Sequence, residues 1–105
     1  MNSGIEAEAL FDYMAIKKGL IVSKPTGDVL YDRITDSGGK LSRIQIKMSS
    51  YTRRKGSYFL RTSNQSQTSY HGNVDIIAVY LAPDDMWLII PIDNLPRKAT
   101  WVTTN

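Results

Sequence analysis

LYDRITDSGGKLSRIQIK, residues 30 to 47, decides how the rest of this chain is read. Two alternating segments rich in Ile, Leu, Tyr and Thr flank Ser37-Gly38-Gly39-Lys40, and a Gly-Gly pair between such runs predicts a tight hairpin. With Gly38 and Gly39 as its two-residue loop, Ser37 faces Lys40, Asp36 faces Leu41, and counting outward sets Asp32 opposite Gln45. Opposed residues share a face of the ladder, as do residues two apart on one strand. Lys47 therefore joins Asp32 and Gln45 on one side, while Ile44, Ile46 and Met48 point to the other. One face is oily. The other gathers a carboxylate, an amide and an ammonium.

That set has a chemistry. Hard divalent cations such as Mg2+ take oxygen ligands and keep several waters, so an Asp carboxylate and a neighbouring amide oxygen can hold one against a phosphate. A lysine beside them can orient a water or offset charge that develops on phosphorus. The same three residues also fit an ordinary half-exposed hairpin with solvated charges, because any exposed strand carries some. The hairpin alone leaves both readings open.

Composition narrows the field. A chain of 105 residues is long enough for one core and predicts a single domain, 1–96, followed by a C-terminal tail, 97–105. No apolar run approaches membrane-spanning length, and Met1 to Glu6 lacks the basic and apolar parts of a signal peptide, which predicts a cytoplasmic protein without a membrane partner. With no cysteine and one histidine, His71, the chain holds no disulfide, thiol nucleophile or Cys- or His-rich metal site. Charge is unevenly spread. Between Ser37 and Val74 there is no Asp or Glu, yet seven of the thirteen basic residues lie there. The remainder carries six basic against ten acidic residues, a net of −4. One basic side implies a polyanion partner, although a merely basic loop would give the same count.

In chain order, Ser3 and Glu6 form a capping box, and the absence of Gly or Pro from Ile5 to Lys18 predicts a helix from about Gly4 to Gly19. Leu10, Tyr13, Met14 and the stem of Lys17 are its expected core side, with Ile5, Ala9 and Ile16 at the flanks. Leu20 to Lys24 reads as a short buried strand stopped by Pro25-Thr26-Gly27-Asp28. After the hairpin, Ser49 to Gly72 turns polar, and only Ser57 to Arg61 reads as a strand. Here Tyr51, Arg53, Arg54, Lys55, Tyr58 and Arg61 interleave aromatics with cations, to which Lys40 and Arg43 add, a pattern suited to DNA phosphate contacts and groove insertion and equally to a solvated loop with a few packed tyrosines. Val74 to Leu81 predicts a central strand buried on both faces, and Met86 to Ile92 its partner, with Pro91 at a sheet edge. Asp93 to Leu95 starts a helical turn, and Arg97 to Asn105 reads as a loosely held tail. Trp87 and Trp101 read as packing residues.

Helix, strand, hairpin, variable polar insert, hairpin: this order resembles the core of the PD-(D/E)XK nuclease superfamily, in particular its group I intron homing endonuclease branch. The residues carrying the resemblance are Glu8, eleven before Gly19; Pro25 to Asp28 leading to Tyr31-Asp32; Arg43-Ile44-Gln45-Ile46-Lys47; and Tyr70 with Val74-Asp75 and the Trp87 to Pro91 strand. It implies an α/β (α+β) restriction-endonuclease-like core with an N-terminal helix and a mixed central sheet. It implies Asp32 as a metal-binding acid, Gln45 and Lys47 as the (D/E)XK pair, and Glu8 as the acid from the first helix. Gln45 departs from the pattern's Glu or Asp, and Tyr31 stands where the pattern has proline. An amide oxygen can still coordinate Mg2+, at the loss of one negative charge.

The activity implied is a Mg2+-dependent DNA endonuclease, with Mn2+ able to substitute, acting on double-stranded DNA. One chain carries one site, so a homodimer or higher homo-oligomer is expected for cutting both strands. A Holliday-junction resolvase would share the core and site. A catalytically silent DNA-binding module on the same fold is the reading that Gln45 favours.

Overall fold

A computed structural model describes residues 3–49, 52–54, 56–63, 69–97 and 99–103. Helix α1 (Ser3–Lys17) comes first. The chain then makes β1 (Ile21–Ser23), β2 (Arg33–Ser37) and β3 (Lys40–Ser49). Next come β4 (Thr52–Arg54) and β5 (Ser57–Arg61), then β6 (Ile76–Leu81), β7 (Met86–Pro91) and β8 (Ala99–Thr103). Five strands form one sheet in the order β1-β2-β3-β6-β7, and three form a second in the order β4-β5-β8. Among the described strands only β3 and β6 run parallel. A parallel pair needs a long crossover. Here the polar insert with β4 and β5 supplies it.

The hairpin forms with the expected register, Ser37 opposite Lys40 and Arg33 opposite Ile44. Gly38 and Gly39 take φ of +59° and +94°, the left-handed pair that a two-residue turn requires. Gly39 N–H also donates to Asp36 Oδ1 at 2.8 Å. The helix ends where expected, with Leu20 N–H donating to Ala15 O at 3.0 Å across a left-handed Gly19.

Two cores lie on opposite faces of the large sheet. On one, Ala7, Phe11 and Ala15 of α1 pack against Ile44, Ile46 and Ala78. On the other, Tyr58, Leu60, Tyr70, Val74, Ile77, Val79, Leu81 and Ile92 form the second core. β6 therefore lies buried between both, as its apolar run predicts. β7 closes the sheet edge, and Pro91 ends it. Trp87 packs edge-on to Phe11 at 5.8 Å and Trp101 to Phe59 at 5.5 Å, so both tryptophans are packing residues.

Four expectations are corrected. The buried stripe of α1 is Ala7-Phe11-Ala15 rather than one containing Tyr13, which is 62% exposed. Ala7 and Ala15, eight apart with Phe11 between them, keep the stripe slim at both ends, and the polar contacts of Glu8 and Asp12 select that face. β1 is an edge strand with Ile21 65% exposed, not a buried one. The insert holds a second strand, β4, because β5 needs a partner for its outer ladder. Ala99–Thr103, read as tail, pairs residue for residue with Ser57–Arg61, satisfying the other edge of β5.

Candidate active site at the fork of two strands

β2 begins at Arg33 opposite Ile44, whereas β3 continues through Gln45 to Ser49. Past Ile44 the two chains diverge, and Asp32 occupies the fork. Its N–H donates to Ile44 O at 2.8 Å, and its Oδ2 accepts the N–H of Ile46 at 2.9 Å. A donor at an open ladder end is thereby satisfied by a side chain rather than by a strand. Burial pushes the Asp32 carboxyl above its usual range; the Ile46 N–H opposes this, Glu8 adds to it, and Arg33 and Lys47 oppose it.

Gln45 and Lys47 are half-buried and lie in register with Ile77 and Val79, on the face of the second core. The Lys47 ammonium sits 4.9 Å from the centre of the Tyr70 ring, and Tyr70 is itself buried. The negative ring face attracts the ammonium, which also acts on the Asp32 carboxylate. Lys47 also lines a cleft of about 280 Å³ with Ser49, Phe59 and Arg61.

Glu8 comes to the fork from the helix side. Its Oε1 accepts from Arg33 Nη1 at 2.8 Å, while Asp12 accepts from Arg33 Nε at 2.9 Å and Nη2 at 3.1 Å. Arg33 is 4% exposed, and Nη1 also donates to the carbonyl of Asp32 at 2.8 Å. Burial alone would loosen its proton, but the hydrogen bonds to Asp12 and Glu8 prevail and hold it more firmly than usual. Thus Glu8 and Lys47 each come within electrostatic reach of Asp32, whose N–H is hydrogen-bonded to the residue before Gln45.

Arg33, Asp12 and Tyr70 were missed as site residues. A signal for the first two was present: Arg33 falls on the oily face of the alternating hairpin, where a cation needs partners, and Glu8 and Asp12 are four apart on a helix, where two acids need a cation between them.

Of the eight residues expected at DNA, Lys40 and Arg61 are exposed. Arg43 is committed elsewhere: it pairs with Asp75 through Nη2 at 3.0 Å and Nε at 3.2 Å, and its backbone N–H donates to Asp75 Oδ2 at 2.7 Å. Arg43 holds the Asp75 carboxyl below its usual range, and the Arg43 guanidinium is raised in turn. The pair joins the start of β6 to β3, a structural task that sequence position did not announce. Tyr58 is corrected outright. It is 2% exposed in the second core, and its hydroxyl donates to Asp84, which pushes the phenol up to about 12. Arg53 and Arg54 lie in β4, with their side chains outside the described residues, as are Tyr51 and Lys55 altogether.

Among the described residues no three His, Cys, Asp or Glu side chains gather into a metal-holding group. At the fork one carboxylate oxygen of Asp32 is held by the Ile46 N–H, which leaves the other as a donor of the kind that suits a hard cation better than a soft one. No helix among the described residues is long and apolar enough to cross a membrane.

This arrangement has relatives. The sequence profile of the PD-(D/E)XK endonuclease family matches residues 2–104. The fold superposes on the bacterial homing endonuclease I-Ssp6803I with a TM-score of 0.77 at 23% identity, over 97% of this chain and 73% of that one. It superposes on Hjc, a Holliday junction resolvase of Archaeoglobus fulgidus, with a TM-score of 0.68 at 19% identity, over 98% of this chain and 85% of that one. No curated protein sequence matches significantly. At such identities the structural likeness concerns the fold, a restriction-endonuclease-like mixed sheet with an N-terminal helix. The match along nearly the whole sequence goes further: the chain belongs to the PD-(D/E)XK endonuclease family.

Proposed function

We propose that this protein is a divalent-metal-dependent endonuclease that hydrolyses phosphodiester bonds of double-stranded DNA at the fork of β2 and β3. The observation that carries the reading is the Asp32 carboxylate accepting the N–H of Ile46, the residue that lies between Gln45 and Lys47 on β3. Asp32 and the Gln45 carbonyl would hold Mg2+, or Mn2+ in its place, with Glu8 reaching it through water. Such a cation, when bound, polarises the phosphate and eases deprotonation of water. Lys47 donates to a non-bridging phosphate oxygen and offsets charge as it develops there. A positive charge adjoining the half-buried Asp32 carboxyl opposes the burial that raises it. Lys40 and Arg61 hold the duplex, with Arg53, Arg54, Lys55 and Tyr51 from the insert, and a two-fold pair of chains cuts both strands.

Supercoiled plasmid incubated with and without Mg2+ tests this. Nicking or linearisation that requires the cation supports the proposal, and intact plasmid under Mg2+ and Mn2+ alike contradicts it. The likeness to both a homing endonuclease and a junction resolvase makes substrate shape the second question. Linear duplex is the proposed substrate, and cleavage confined to four-way junctions would assign resolution instead. DNA bound but never cut, in either shape, would leave a binding module that Gln45 has silenced.

A further inference from the structure

The guanidinium of Arg33 is buried on the apolar side of the sheet and bonds to three different residues, one of them through the peptide carbonyl of Asp32. We propose that Arg33 is a positioning residue for Asp32 and Glu8, anchored by Asp12. Its consequence for cleavage rests on the nuclease reading above; the positioning itself does not.

The geometry divides the work among the nitrogens. Nε and Nη2 grip the two oxygens of Asp12 side-on, at 2.9 and 3.1 Å, which fixes the plane of the guanidinium. Nη1 is left to bridge Glu8 Oε1 and Asp32 O, each at 2.8 Å. Two effects follow. The Glu8 carboxylate, which repels that of Asp32, is held on the helix side while remaining within electrostatic reach. The main chain of Asp32 is pinned at the residue where β2 departs from β3, so its side chain stays on the Ile46 N–H. A lysine could keep the charge but has no planar fork to hold three acceptors in fixed directions. Asp12 takes no part in the proposed chemistry, yet without it the guanidinium loses its orientation.

The test compares wild type with Arg33→Lys and Asp12→Asn by amide hydrogen exchange without metal, using Ile77 and Val79 in the centre of the sheet as the measure of global opening. Positioning predicts that protection of the Ile46 amide falls about tenfold beyond any loss at Ile77 and Val79, because only the fork opens locally. Single-turnover cleavage with Mg2+ should slow by on the order of 100-fold with KM for DNA unchanged, as for a misplaced reacting group. Ile46 protection that merely tracks Ile77 and Val79, or an unchanged cleavage rate, would overturn the proposal and leave Arg33 a stabilising ion pair. Should Arg33→Lys not fold, Asp12→Asn, whose side chain is 29% exposed, decides the matter. A wild type that cuts nothing would refute the nuclease reading, while the exchange result would still decide the positioning.

Discussion

Asp32 and Ile46 meet across the fork of the large sheet, the carboxylate of one accepting the backbone N–H of the other at 2.9 Å. The bond ties Asp32 to the strand that carries Gln45 and Lys47. It also leaves an acid in a place where burial works against its charge.

That conflict has a pH signature. The folded carboxyl of Asp32 holds its proton more tightly than the unfolded value of 3.8, so the stability linked to its neutral form is complete below pH 3.8 and is lost as pH rises through the folded pKa. Asp32→Asn can keep the Ile46 bond without the charge. Thermal melts without metal should therefore show the variant a few degrees above wild type at pH 7, and the gain should vanish below pH 3.8. A variant melting below wild type at pH 7 would refute this.

Lys47 rests on Tyr70, and the ring rather than the hydroxyl makes the contact. Tyr70→Phe should keep the cleavage rate within about twofold, whereas Tyr70→Leu should lower it by about fivefold, the loss of a cation–π contact of about 1 kcal/mol. Equal rates for the two variants would show that the ring does not hold the ammonium.

Salt dependence separates basic residues that serve DNA from those that serve the fold. Lys40→Ala and Arg61→Ala should each reduce the slope of log K against log salt by about 0.9, one phosphate contact apiece. Arg43→Ala should leave the slope unchanged and lower stability, by less than about 1 kcal/mol for the ion pair because both partners are more than a third exposed. A slope that falls with Arg43→Ala would mean that the arginine leaves Asp75 for DNA. Tyr58→Phe should likewise bind DNA normally, and it loses only the hydroxyl's bond to Asp84.

What was legible in the sequence was what local rules control. Gly38-Gly39 fixes one hairpin register, which holds from Ser37 opposite Lys40 to Arg33 opposite Ile44 and stops one residue short of the expected Asp32 and Gln45 pair. The apolar run to Leu81 and the Gly19 stop were equally plain. What was hidden depends on distant partners. β8 reads as tail because it is a short segment beyond Pro96 whose ladder is made with β5, some forty residues earlier in the chain. Arg43 reads as a DNA contact until Asp75 is placed beside it. Tyr58 looks like a groove aromatic until the second core closes over its ring. The helix side of the site was half visible: Glu8 came from the family resemblance, but the Arg33 that holds it follows only when an arginine on an oily strand face is asked for its partners.

Cleavage of supercoiled plasmid in Mg2+ by wild type beside Asp32→Ala and Lys47→Ala tests the central claim most directly. The fork predicts nicking by wild type and its loss in both variants, each still folded and still binding DNA. Cutting that survives in either variant would contradict the assignment of the chemistry to this fork.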